Sequence, residues 1–279
     1  MNLPAYDNAT ETARRYYNSS DADTFYAEVW GGEDIHIGIY QSSDEPISRA
    51  SHRTVQHLTE RLRGIDASSV ILDIGSGYGG AARHLARHFG CRVIGLNLSE
   101  TENTRHRQLN EQAGLNDQIE VIDGAFESIP LANNHVDVVW SQDAILHSGD
   151  REQVLREVNR VLRPGGQFVF TDPMRADDCP AEALTAILER IHLPDLGSTE
   201  FYRRAADELG WQDNGFEAMP EQLVNHYSRV LEMTEANSTD LADKVSASYL
   251  ERMKVGLRHW IDGGRAGRLT WGVFLFQKS

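Results

Sequence analysis

Val70-Ile71-Leu72-Asp73-Ile74-Gly75-Ser76-Gly77-Tyr78-Gly79-Gly80 is the stretch from which the rest of the chain can be read. It begins as a short apolar, β-branched run with the character of a buried strand. Four glycines then fall within six residues, and Ala81-Ala82-Arg83-His84-Leu85-Ala86-Arg87-His88-Phe89 follows as a helix former. Strand, glycine turn and helix start describe a nucleotide-binding βα unit. Glycine lets the backbone approach a ligand, and the helix N-terminus presents unpaired N–H groups to it.

Two cofactor classes compete for this turn. Gly75, Gly77 and Gly80 satisfy G-x-G-x-x-G, which alone is a weak dinucleotide signal. Asp73 extends the pattern to D-x-G-x-G-x-G through Gly79. A carboxylate there lies near the place of a dinucleotide pyrophosphate and would repel it, yet it suits a cationic amino-acid moiety. The pattern resembles motif I of the class I S-adenosylmethionine (SAM) methyltransferases, whose cofactor carries an ammonium and a sulfonium and no phosphate. NAD, and a glycine turn without any ligand, are the competing readings.

From Val70 onward strand and helix alternate at the spacing of a parallel sheet. Strands are expected at 92–98, 119–122, 136–140 and 167–173, with helices at 81–89, 99–113 and 150–162. Helices at 10–17, 22–30 and 48–63 precede this core. Helices at 179–193, 199–209, 221–233 and 238–260 follow it, with a sixth strand at 211–219, a loop at 263–267 and a final antiparallel strand at 268–277. The resemblance implies an α/β, Rossmann-like class I methyltransferase fold with a seven-stranded, mostly parallel sheet, an N-terminal helical lid and a helical cap. The expected divisions are a lid over 1–64, a SAM-binding core over 65–173, and cap helices plus closing strands over 174–279. In that family Asp73, Gly75, Gly77 and Gly79 would hold the cofactor, with Gln142 beside them. Asn97 would meet its ribose, where Asp or Glu is usual, and Leu98 beside it would also contact the cofactor. Ala125 and Phe126 fall where the adenine ring is recognised.

The segments outside the core carry a narrower resemblance. Phe25-Tyr26-Ala27-Glu28-Val29-Trp30-Gly31-Gly32-Glu33-Asp34-Ile35-His36-Ile37-Gly38, Trp140 to Ser148, Phe170-Thr171-Asp172-Pro173-Met174, His259-Trp260 and Leu269-Thr270-Trp271-Gly272 resemble the sarcosine/dimethylglycine N-methyltransferases, which make glycine betaine. A more distant likeness is to phosphoethanolamine methyltransferases, which share the spacing of Gln142-Asp143-Ala144-Ile145-Leu146-His147. That likeness implies a catalytic His147 with Tyr17 as its partner. Tyr26, Trp30 and His36 are candidates to wall the amine methyls, as a cation site lined by aromatic rings would. The substrate carboxylate needs a donor, and Arg175, Arg203 and Arg229 are the candidates, with Arg229 preferred. A phosphoethanolamine-type enzyme and a non-catalytic SAM-binding module are the alternatives.

Methyl transfer from a sulfonium is an in-line displacement that asks mainly for alignment and exclusion of water. The substrate amine titrates near the lysine range, so exposing its lone pair at pH 7 costs roughly 4 kcal/mol. A histidine that receives the proton lowers this cost, and its ordinary pKa of about 6.5 places an acid limb there.

Composition narrows the partners. The formal net charge of −15 disfavours nucleic acid. No run of about 18 apolar residues is present, and no basic amphipathic helix suggests a membrane surface. The residues from Met1 to Asp7 have no basic or apolar leader character. Cys91 and Cys179 have no metal-ligand spacing and form no disulfide framework. The expectation is a cytoplasmic, metal-free monomer or weak homodimer acting on small amino acids, sarcosine and dimethylglycine.

Lysine is nearly absent, at positions 244, 254 and 278 only. An acidic, lysine-poor surface repels itself, and salt screens that repulsion. Turnover and Tm should therefore hold or rise between low and molar potassium chloride. A steady fall of both over that range would count against salt adaptation.

Overall fold

The apolar run at Val70 becomes β1 (Val70–Ile74), the centre of a parallel sheet. The computed structural model describes residues 8–279 except His192 and Pro194. The remaining strands are β2 (Arg92–Asn97), β3 (Ile119–Asp123), β4 (Val136–Gln142), β5 (Leu162–Thr171), β6 (Met174–Arg175), β7 (Trp211–Ala218), β8 (Leu269–Thr270) and β9 (Gly272–Lys278). The main sheet has seven strands in the order β3-β2-β1-β4-β5-β9-β7. β1 to β5 run parallel, and β9 is inserted antiparallel between β5 and β7. The class I methyltransferase fold and the antiparallel final strand are as expected from the sequence.

Alternation of side chains along the strands divides the core in two. Leu72, Ile74, Ile94, Leu96 and Val139 join one apolar cluster, and Ile71, Val93, Val138 and Trp140 join the other. Strand order reverses between β1 and β4, and such a switch point opens a crevice beyond the strands' C-terminal ends. Two further clusters roof that crevice. Phe25, Val29 and Trp30 pack on Val230, Tyr249 and Met253, so segments before and after the sheet share one apolar cluster.

Four local details differ from the sequence reading. The helix expected at 22–30 is an α-helix over Ser20–Phe25 followed by a π-turn over Tyr26–Trp30. Arg163-Pro164-Gly165-Gly166, the break between the helix expected at 150–162 and the strand expected at 167–173, is a bulge inside β5, because pairing jumps from Val136 with Leu162 to Val138 with Gln167. The helix expected at 238–260 is two helices, Ser238–Ala242 and Ala247–Arg265, with the Ser246 side chain capping the second. That second helix runs through Gly263 and Gly264, where a loop was expected. A Cβ at these positions would meet Leu269 at 2.8 Å and Val224 at 2.6 Å, so glycine serves close packing here.

Between β8 and β9 lies Trp271, fully buried, whose Nε1–H donates to Asp143 Oδ1 at 2.7 Å. Trp260 packs in the same cluster as Trp271. On urea denaturation, Trp271→Phe should cost about 1–3 kcal/mol more than Trp260→Phe, since only the first deprives a carboxylate of its donor. Equal losses would show that this bond contributes nothing.

Candidate active site

The glycine turn lies at the mouth of the crevice. Gly75, Gly77 and Gly79 take φ of 76°, 49° and 77°, a left-handed run that only glycine adopts without strain. A Cβ on Gly75 would meet that of Ala144 at 2.3 Å, and one on Gly80 would meet Asp34 Oδ1 at 2.0 Å. The segment after β4 and the strap around Asp34 therefore both close on the turn. Together they leave a cleft of about 310 Å³ lined by Asp34, His36, Asp73, Ser76 and Gln142.

Asp73 is buried at the end of β1, and its Oδ2 has no partner among the described residues. Burial, and then the nearby Asp34, push its pKa up to about 8. An unpaired carboxylate beside a glycine cradle fits the ammonium end of SAM.

Asn97 ends β2 and is buried, and its Nδ2 donates to Glu102 Oε2 at 2.9 Å. Burial drives Glu102 up to about 7. The acid missing at Asn97 is thus present five residues later, in the first turn of the helix Glu100–Gln112. The sequence reading passed over Glu102. Its spacing of one turn past the Ser99 cap was the available signal. Leu98 is half-buried beyond the strand. Ala125 is buried in the loop after β3, and Phe126 packs on the main core.

Gln142 accepts from Trp140 Nε1 at 3.0 Å, which turns its amide nitrogen toward His36 Nδ1 at 3.3 Å. Five residues on, His147 Nε2 lies 2.9 Å from the Tyr17 hydroxyl, joining residues 130 apart in the chain. The turn Ile145–His147 is held by Asp172, whose Oδ1 accepts from the Leu146 N–H at 2.9 Å and Oδ2 from Tyr202 at 2.7 Å. From Tyr17 a row of rings leads away. Tyr26 lies 5.9 Å from Tyr17, Trp30 4.9 Å from Tyr26, and His226 5.0 Å from Trp30. Burial holds the Tyr17 and Tyr26 phenols far above their ordinary pKa, so both stay neutral.

The arginines are engaged elsewhere. Arg229 donates to Glu232 at 2.7 Å and to the Asp44 carbonyl at 3.2 Å, while its buried Nε has no partner among the described residues. Arg203 pairs with Asp213 at 3.0 Å, and Arg175 reaches the Ala176 and Asp177 carbonyls. Of the residues anticipated from sequence, the fold gathers Tyr17, Tyr26, Trp30, His36, Asp73, Gln142 and His147. The three arginines make their hydrogen bonds to other groups.

A methyltransferase domain model matches residues 72–170. The sarcosine/dimethylglycine N-methyltransferase of Halorhodospira halochloris is 54% identical over 273 residues, 98% of either chain. That of Aphanothece halophytica is 51% identical over 272 residues, again 98% of either chain. The chain belongs to this N-methyltransferase family. A crystal structure from Galdieria sulphuraria, of a protein proposed to be a sarcosine dimethylglycine methyltransferase, superposes with a TM-score of 0.90 at 45% identity, covering 95% of this chain and 99% of the other. The methyltransferase is SAM-dependent, and the chemistry of the partnerless Asp73 oxygen suits a cationic group such as that cofactor's ammonium.

The raised pKa of Asp73 has a definite sign. A carboxyl with a folded pKa near 8 rather than 3.8 binds more protons when folded, so its ionisation destabilises the free protein as pH climbs through that window. Asp73→Asn should raise the Tm of the cofactor-free protein at pH 8 and above, while weakening SAM at least about tenfold. Calorimetry in buffers of different ionisation enthalpy should show proton release on SAM binding below pH 8. Unchanged SAM affinity in a folded Asp73→Asn protein would remove this role.

Proposed function

We propose that the protein methylates the amine of sarcosine and then of dimethylglycine, forming glycine betaine. The observation that carries the site assignment is the hydrogen bond between Tyr17 and His147, beside the cofactor turn and at one end of the aromatic wall. Bound SAM supplies an electrophilic methyl group. The task left to this chain is to strip the substrate amine of its proton and water and to aim its lone pair.

Tyr17 stays protonated near neutrality and cannot act as the base. It orients the His147 ring, and a neutral His147 takes the ammonium proton. Once methylated three times the nitrogen carries a permanent positive charge. The faces of Tyr26 and Trp30 stabilise that charge as it develops, which lowers the barrier rather than merely tightening binding. The apolar cluster shared by segments before and after the sheet serves as a lid that excludes water from the reacting nitrogen.

His147→Ala should lower kcat by about a hundredfold or more with a smaller change in SAM affinity. Its kcat/KM for dimethylglycine should lose the acid limb of the wild-type profile and climb more steeply at alkaline pH, where free amine comes from solution. Tyr17→Phe should keep that limb and lose less. An unaltered rate and profile in His147→Ala would make His147 structural.

A further inference from the structure

His226 lies on the helix Pro220–Ala236 and is fully buried. Its Nδ1 faces two donors, the backbone N–H of Gly38 at 3.1 Å and the hydroxyl of Tyr40 at 3.1 Å. A backbone N–H can only donate, so Nδ1 is the bare nitrogen and the ring proton sits on Nε2. Gly38 gains this approach by lacking a side chain, since a Cβ there would meet Ala50 at 2.6 Å. The surrounding burial keeps the ring neutral, with a pKa near 3. The Nε2–H finds no acceptor among the described residues. A buried donor without a partner destabilises the free protein, a cost that a ligand acceptor would relieve.

The place of this ring says which acceptor. Trp30, Tyr26 and Tyr17 lead from it to His147. Its electrostatic neighbour His36 leads back to Gln142, five residues before His147. His147 and His226 thus stand at opposite ends of one run of contacts, with Tyr17, Tyr26 and Trp30 between them. A short amino acid whose amine meets His147 directs its carboxylate away from that residue. We propose that the Nε2–H of His226 donates to the carboxylate of the substrate, so that a neutral imidazole takes the place expected for an arginine.

This rests on the reading of sarcosine and dimethylglycine as substrates. A neutral donor also suits the reaction. A guanidinium in this enclosure would oppose the positive charge gathering on the nitrogen, whereas an imidazole N–H orients the carboxylate without that repulsion.

Two substitutions separate the donor from the packing. His226→Asn keeps a polar atom near Nδ1 for Gly38 but removes Nε2–H. His226→Gln carries an amide N–H out to the place of Nε2. With dimethylglycine, His226→Asn should raise KM roughly tenfold to a hundredfold, the loss expected for a hydrogen bond to a charged group, and His226→Gln should recover part of it. With dimethylethylamine, which has methyl in place of the carboxylate, the two variants should match wild type, and S-adenosylhomocysteine should bind all three alike. An unchanged KM for dimethylglycine, or equal losses on both amines, overturns the proposal. A second measurement uses wild-type protein labelled with [15N]histidine and saturated with S-adenosylhomocysteine. Adding glycine betaine should move the His226 Nε2–H resonance downfield, and an unmoved resonance overturns the proposal. If wild type binds S-adenosylhomocysteine but does not methylate dimethylglycine, the substrate reading fails and the proposal falls with it; methylation of dimethylglycine with an unmoved betaine-dependent resonance overturns the role of His226 alone.

Discussion

Asp143 ties three distant parts of the chain to one point. Its Oδ2 accepts from the Ile37 N–H at 2.7 Å, its Oδ1 from Trp271 at 2.7 Å, and its own N–H reaches the Thr171 carbonyl at 2.9 Å. To do so it takes a φ of 51°, a conformation few non-glycine residues hold. The N-terminal strap, the C-terminal strand pair and the end of the sheet are thereby referenced to the same carboxylate. Gln142 and His147 flank it in sequence, so the cofactor cleft and the Tyr17–His147 pair inherit their positions from it. Burial raises its pKa, and these donors work against that rise.

The other buried acids divide by what satisfies them. Asp172 is pushed up to about 7 by burial, yet both its oxygens are used, on Leu146 and on Tyr202. It belongs to the scaffold of the turn that carries His147. Asp73 has an oxygen with no partner and no cation near it among the described residues. A protein that leaves a carboxylate in that condition loses stability unless a ligand brings the missing charge. Glu102 stands between the two, its carboxyl accepting from Asn97. The cost therefore falls where a cationic cofactor with a ribose offsets it.

The aromatic wall follows a different logic from the core beneath it. Core rings such as Phe168, Phe170 and Phe274 stack on one another and bury apolar area. Tyr16, Tyr17 and Tyr26 carry hydroxyls that must find partners, and they find them in each other, in Tyr249 and in His147. Rings with neutral phenols attract a quaternary ammonium while adding no charge of their own. The wall can thus favour the product's cation without drawing in water.

The sheet and its cofactor turn were legible in the sequence because their causes are local. Strand runs, the glycine turn and Asp73 lie within eleven consecutive residues, and the hydrophobic period decides which face each side chain takes. Tyr17 with His147 was legible only through resemblance, as nothing in the local sequence joins residues 130 apart. Arg229 was preferred among the arginines as a cation for a carboxylate, and the bonds its guanidinium makes to Glu232 and to the Asp44 carbonyl could not be read from residue order. Glu102 and His226 went unread for one shared reason. Each acts through burial and through a partner distant or unforeseen, Asn97 for the one, Gly38 and Tyr40 for the other. Residue order alone determined the elements and their chemistry. Which polar atoms were left buried without a partner was decided only when the segments before and after the sheet packed together, since desolvation is a property of the assembled volume and not of any segment.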